Sequence, residues 1–169
     1  VGMSDPGLVV LPTHRLFVEP AVATVKDLVA KLGDAFTVRP AGHGPAAAAA
    51  AWREIEVENE QGTLALYTAG DQTWSHVRIT PSGRARMDAV ASDHGPAWRS
   101  LGVSILHRLL VGDLLGATKI PTPGYVHLVR EVVEGLETGA YPLAALVMPA
   151  TVEDIRKVSE TGERMPAKS

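Results

Sequence analysis

Two stretches, Thr63-Leu64-Ala65-Leu66-Tyr67-Thr68 and Thr73-Trp74-Ser75-His76-Val77-Arg78-Ile79-Thr80, decide the fold. Both are rich in β-branched and aromatic residues, and Gly70-Asp71-Gln72 between them supplies turn chemistry, so they predict a β-hairpin. With a period of two, Ser75, Val77 and Ile79 share one face of the second strand. Trp74, His76 and Arg78 share the other. Pro81-Ser82-Gly83 ends it.

Helical spacing dominates on either side of this hairpin. Upstream, Thr24 and Asp27 are placed as a capping box, Val22, Val25, Val29 and Leu32 recur at helical intervals, and Gly33 is a stop. Phe36-Thr37-Val38 reads as a brief strand ended by Arg39-Pro40. Pro45 then opens a run of six alanines, which predicts a helix through Trp52 and Ile55 to about Asn59. Ile55 and Val57 alternate with three glutamates, a pattern a strand would also produce. Arg84 to Val90 fits neither template well, and His94-Gly95-Pro96 marks a break.

Downstream, Ile105, Leu106, Leu109, Leu110 and Leu114 form a wide apolar stripe that predicts a helix from Ser104 to Leu115, stopped by Gly116. Pro121 to Gly124 is a connector, followed by a short strand at Tyr125-Val126-His127 and a helix from Val129 to Glu137. Leu143 to Met148 is an apolar strand candidate. Thr151 and Asp154 cap a last helix that stops at Gly162. Strands and helices mix without a strict βαβ rhythm. The expected fold class is therefore α+β, a mixed or antiparallel sheet with a hairpin packed against several helices, in one domain over residues 1–169.

Composition narrows the function classes. The 169 residues carry 16 Lys and Arg against 19 Asp and Glu, a formal charge of −3. With a pI near 6.1 this argues against an electrostatic nucleic-acid binder. No run of about 18 apolar residues is present, so no membrane span is expected. The chain has no cysteine, which excludes a disulfide framework, a thiolate zinc site and a cysteine nucleophile. Val1-Gly2-Met3-Ser4-Asp5 has neither the basic nor the apolar region of a secretory signal, and a cytoplasmic setting is the expectation. Phosphate-loop, dinucleotide, nucleophile-elbow and paired-histidine metalloprotease motifs are absent. The six histidines include no pair three or four residues apart on one helix, so no metal site is predicted.

The most suggestive local feature is Thr13-His14-Arg15, which follows the apolar run Leu8-Val9-Val10-Leu11. That run reads as a buried strand, with the polar trio at its end. A hydroxyl, an imidazole and a guanidinium gathered there can converge on an oxyanion such as phosphate, with Arg supplying a planar donor fork and His donating or shuttling a proton. The competing reading is an Arg paired with a carboxylate over a packed His. Glu163-Arg164-Met165-Pro166-Ala167-Lys168-Ser169 is a second cluster, with two cations and a hydroxyl in an irregular segment. His107 would sit three residues into a helix capped by Ser104, a capping or packing position. Trp52, Trp74 and Trp98 are widely spaced and read as core.

Three of these stretches together resemble a known family. Asp5-Pro6-Gly7-Leu8-Val9-Val10-Leu11-Pro12-Thr13-His14-Arg15-Leu16 resembles a signature of the bacterial and archaeal domain-of-unknown-function 1015 family. Val103 to Leu110 resembles its central helix, and Gly162 to Ser169 its near-terminal motif. Family members also carry an upstream Ala-Asp-Gly-His-His-Arg motif that this sequence lacks, and Gly102 stands where an acidic residue is expected. The resemblance implies that the chain is the C-terminal portion of a longer protein and that the missing N-terminal portion is a partner. The absent motif is similar to the phosphate-handling motif of ParB-like proteins, which include nucleotide-dependent kinases. By that analogy the ligand is a phosphorylated small molecule or nucleotide, with Mg²⁺ as an accompanying ion in a phosphotransfer-type enzyme. His14 would be the catalytic group, with Thr13, Arg15, Arg164 and Lys168 binding the anion. The alternative is a non-catalytic scaffold or ligand-sensing module that packs on the N-terminal domain.

Overall fold

The computed structural model describes residues 12–19, 22–116 and 124–166. Among them, six strands form one sheet: β1 (His14–Phe17), β2 (Phe36–His43), β3 (Thr63–Thr68), β4 (Thr73–Ile79), β5 (Gly124–Val126) and β6 (Leu143–Val147). The order across the sheet is β2-β4-β3-β6-β1-β5, and every neighbouring pair is antiparallel. The fold is therefore α+β with an antiparallel sheet. The β3–β4 hairpin forms as its alternation requires, with Leu64 opposite Val77 and Tyr67 opposite Trp74.

Helices cover both faces. Face one carries α1 (Val25–Leu32), α3 (Pro81–Val90), α4 (Pro96–Arg99), α5 (Gly102–Ser104) running into a π-helix (Ile105–Leu114), and α7 (Val152–Glu160). Their buried residues, among them Leu28, Met87, Trp98, Leu106 and Val158, join Phe17, Leu66, Val77 and Val147 in one apolar cluster. Face two carries α2 (Ala48–Glu58), preceded by a 3₁₀ turn (Pro45–Ala47), and α6 (Val129–Glu137). There Ala48, Ala51, Ile55, Val132 and Leu136 pack on Leu16, Ala65, Trp74 and Leu146. Among the described residues no helix is long and apolar enough to cross a membrane.

Several elements differ from their expected form. The run Leu8 to Leu11 lies outside the described residues; within them His14 and Arg15 open a strand, with Thr13 just before it. β2 continues through Pro40 to His43 because it is an outer strand, where the N–H that proline lacks breaks no inner ladder. The pairing slips between Pro40 and Gly42, whose φ of +144° and close approach to Ala47 leave no room for a Cβ. In α1 the buried positions are Leu28 and Leu32, an i,i+4 pair, and Val29 is turned to solvent. Within the alanine run Ala48 and Ala51 are buried against the sheet. The ambiguous segment Arg84–Val90 is helical, led by Pro81 at the first turn with the Thr80 hydroxyl accepting the Gly83 N–H. Ser104 is not a cap: the helix starts at Gly102, and Ser104 is buried within it. The π-helix buries residues 105–106 and 109–111, and its C-cap Leu115 is buried too, a spacing of four to five that matches the wider turn; Leu115 N–H reaches back five residues to Leu110 O.

Candidate functional site

β1 lies between β6 and β5, and its alternation sends neighbouring residues to opposite faces. Leu16 belongs to the cluster under α2 and α6, and Phe17 to the cluster under the π-helix. His14 therefore projects toward face two and Arg15 toward face one.

On face two, His14 is fully buried and its ring stands edge-on to Trp52 of α2, 4.6 Å between centroids at 76°. The Val147 N–H donates to His14 Nδ1 at 3.2 Å. A nitrogen that accepts has no proton, so in the neutral ring the proton sits on Nε2. That Nε2 is buried and has no hydrogen-bond partner. Burial, with the charges of Arg15 and of His127, pulls the His14 pKa down to about 4, so the ring is neutral at physiological pH.

A cavity of about 480 Å³ is bordered by His14. Its walls include Trp52, Glu56 and Asn59 from α2, His127 from the approach to α6, and Met148 after β6. Trp52, Glu56 and Asn59 recur at i, i+4 and i+7, one stripe along α2. Helical geometry puts Ala48, Ala51 and Ile55 of the same helix on the sheet. The neighbouring Glu54 and Glu58 are engaged elsewhere, both with Arg39, and Glu58 also with His76 at 2.9 Å. His127 Nδ1 contacts the Pro12 carbonyl at 3.1 Å, across the mouth of β1.

On face one, Arg15 is 1% exposed. Its guanidinium donates to the Thr13 carbonyl and lies 5.4 Å from the centre of the Tyr125 ring, its cross-strand neighbour on β5. Burial lowers its pKa to about 10, opposed by the Tyr125 hydroxyl, which leaves it charged at neutral pH. His107 of the π-helix is half-buried with its ring 6.0 Å from Phe17. Burial and the Arg15 charge bring its pKa to about 4. The near-terminal segment lies on this face as well. Met165 packs against the cluster that holds Phe17. Glu163 accepts the Gly95 N–H at 2.7 Å and holds His94 Nδ1 at 2.8 Å, with His94 stacked on Trp98 at 3.6 Å. Arg164 itself is exposed, and Lys168 lies outside the described residues.

The predicted trio is thus divided by a single strand step, with Thr13 and Arg15 held together and His14 apart from them. Sequence reading missed Trp52, Glu56, Asn59 and His127 as wall residues. The i, i+4, i+7 stripe was legible once Ala48–Glu58 was read as a helix, but His127 carries no local signal. The sequence marks His107 as a cap or packing residue, and its approach to Arg15 depends on tertiary packing. Among the described residues no three His, Asp or Glu side chains gather closely enough to hold a metal ion.

This architecture defines an α+β protein with helices on both faces of an antiparallel sheet and a small-molecule-sized cavity against its fifth strand in spatial order. The family model described as Protein of unknown function (DUF1015) matches residues 1–104, more than half of the chain, and the chain belongs to that family. The match takes in β1, the α2 stripe and the hairpin, whereas the near-terminal cluster lies beyond it. No curated protein and no solved structure matches the chain.

Proposed function

We propose that this portion of the family is the small-molecule-binding part of an enzyme, with the ligand in the cavity over β1 and His14 as a neutral hydrogen-bond donor to one of its oxygens. One observation carries the reading. The Val147 N–H occupies Nδ1, which leaves Nε2–H as a buried, unpartnered donor on a residue that borders the cavity. Such a ring does not take up a proton readily, because Nδ1 is held as an acceptor and the pKa is near 4. It is instead suited to polarise a carbonyl or phosphoryl oxygen, the electrophilic use of a neutral imidazole.

A second reading puts a phosphorylated small molecule or nucleotide on face one. Thr13 and Arg15 lie together at the start of β1, with the neutral His107 beside the guanidinium and the segment carrying Arg164 packed on the same face through Met165. A guanidinium in a low-dielectric site exerts a stronger pull on phosphate oxygens than one in water. Lys168 belongs to the same reading.

One screen separates the two. Thermal midpoints are measured with nucleotides, phosphorylated and unphosphorylated metabolites and inorganic phosphate, with and without Mg²⁺. Saturation at ~100 Kd stabilises by about 2.7 kcal/mol, which is readily seen. A shift lost in His14→Gln and kept in Arg164→Ala supports the cavity. The opposite pattern supports the anion on face one. No shift in this chain or in the full-length protein removes both and favours a scaffold.

A further inference from the structure

The walls of the cavity over β1 also say which kind of ligand it selects, and this inference rests on the cavity being a ligand site. Among the described residues that line it there is no lysine or arginine. The one carboxylate is Glu56, which is exposed and makes no ion pair or hydrogen bond with another described residue, in contrast to Glu54 and Glu58 on the same helix. Glu56 lies in the last turn of α2 and Asn59 is its C-cap, where the helix dipole concentrates negative charge. Trp52 adds an aromatic wall, another feature favourable to a cation.

The opposite wall carries one basic side chain, His127, whose Nδ1 is turned to the Pro12 carbonyl, and otherwise restores no preference for anions. His127, Leu128 and Val129 lead into the N-terminus of α6, a place that would otherwise attract phosphate. Glu131 already fills it, since its Oε1 accepts both the Leu128 N–H at 3.0 Å and the His127 N–H at 3.3 Å. His14 borders the cavity as well, fully buried and with its Nε2–H unpartnered.

We infer that the cavity takes a small amine whose ammonium group meets Glu56 at the end of α2 and whose hydroxyl or carbonyl oxygen accepts from His14 Nε2–H. Met148 and Trp52 enclose the apolar body between these two polar ends. A volume of about 480 Å³ suits a small molecule rather than a peptide.

The test uses matched triplets of compounds in which one aryl or alkyl body is carried as the primary amine, the alcohol and the phosphate ester. Affinities for the whole chain are measured by ligand-observed NMR, alongside Glu56→Gln and His14→Gln. The expected result is about tenfold tighter binding of the amine than of its alcohol. That preference disappears in Glu56→Gln, an exposed position whose change does not threaten folding, while alcohol binding persists. Imidazole ¹⁵N spectra of the unsubstituted chain give a second readout, in which amine binding moves the His14 Nε2 resonance. Alcohols or phosphate esters that bind as tightly as amines, and still move that resonance, overturn the amine inference and leave the cavity as a ligand site. If no member of any triplet moves it, the cavity reading fails and this inference with it.

Discussion

His14 and Arg15 are consecutive, buried and basic, yet they belong to different halves of the molecule. Both have pKa values pulled down by burial, to about 4 and about 10. Because their ordinary values differ so widely, the same physical cause leaves one neutral and the other charged at pH 7. Face one closes over Arg15 with a π-helix and a large apolar cluster. Among the described residues α2 and α6 cover face two, and the cavity that His14 borders lies between them. Residue types that suit one site were thus distributed by strand geometry between a closed core and an open pocket.

The largest expected effects test that contrast in packing. Phe17 is fully buried under the π-helix, so Phe17→Ala removes its contacts and leaves a void, at a cost of about 3–5 kcal/mol. Trp52 already borders open space, so Trp52→Ala leaves little new void and costs about 1 kcal/mol. Urea unfolding measures both. Equal losses would mean that face two is packed as tightly as face one and that the cavity is not open in solution.

Each face also holds one histidine that resists protonation, which gives a pH dependence of known sign. His14 and His107 have folded pKa values near 4 against 6.5 for the unfolded chain, so between those limits the unfolded state binds more protons. Stability is therefore full above about pH 6.5 and falls as pH drops toward 4. For the fully buried His14 the loss is roughly 3 kcal/mol, at about 1.4 kcal/mol per pKa unit. The half-buried His107 contributes in the same direction and by less. In unfolding measured between pH 4 and 7, His14→Gln should flatten the profile more than His107→Gln. A profile unchanged by His14→Gln would show that the ring is not held neutral by Val147 and its surroundings.

How far these features were legible follows from the range of the forces involved. The β3–β4 hairpin, the capped helices α1 and α7, and the stripe of α6 are set by residues within a few positions of one another, and the sequence displays them. The extension of β2 through Pro40 depends on its being an outer strand, a fact of sheet order that no local pattern contains. The π-helix looks like an ordinary helix in sequence because its apolar residues at 105–106 and 109–110 satisfy both periods. His14 was legible as a candidate residue, but its tautomer is fixed by Val147, 133 positions away. Glu56 was hidden in a run of alternating glutamates, where only the contacts of Glu54 and Glu58 with Arg39 set it apart.

The smallest effects concern the near-terminal segment and decide whether it serves structure or ligand. Glu163 receives the Gly95 N–H at the start of α4 and grips His94, and these bonds hold its carboxyl below the usual range. Glu163→Ala should lower the thermal midpoint by about 2–4 °C, the size of a lost helix cap in a chain of this length. Arg164, one residue on, is exposed, so Arg164→Ala should leave the midpoint within about 1 °C. The pair separates two roles that the motif alone merges. If Arg164→Ala is silent both in stability and in phosphate binding, the segment acts through Glu163 as a clasp on α4, and face one is structural. If it is silent in stability but weakens phosphate binding, Arg164 belongs with Arg15 in an anion site, and the division of labour between the two faces must be redrawn with ligands on both.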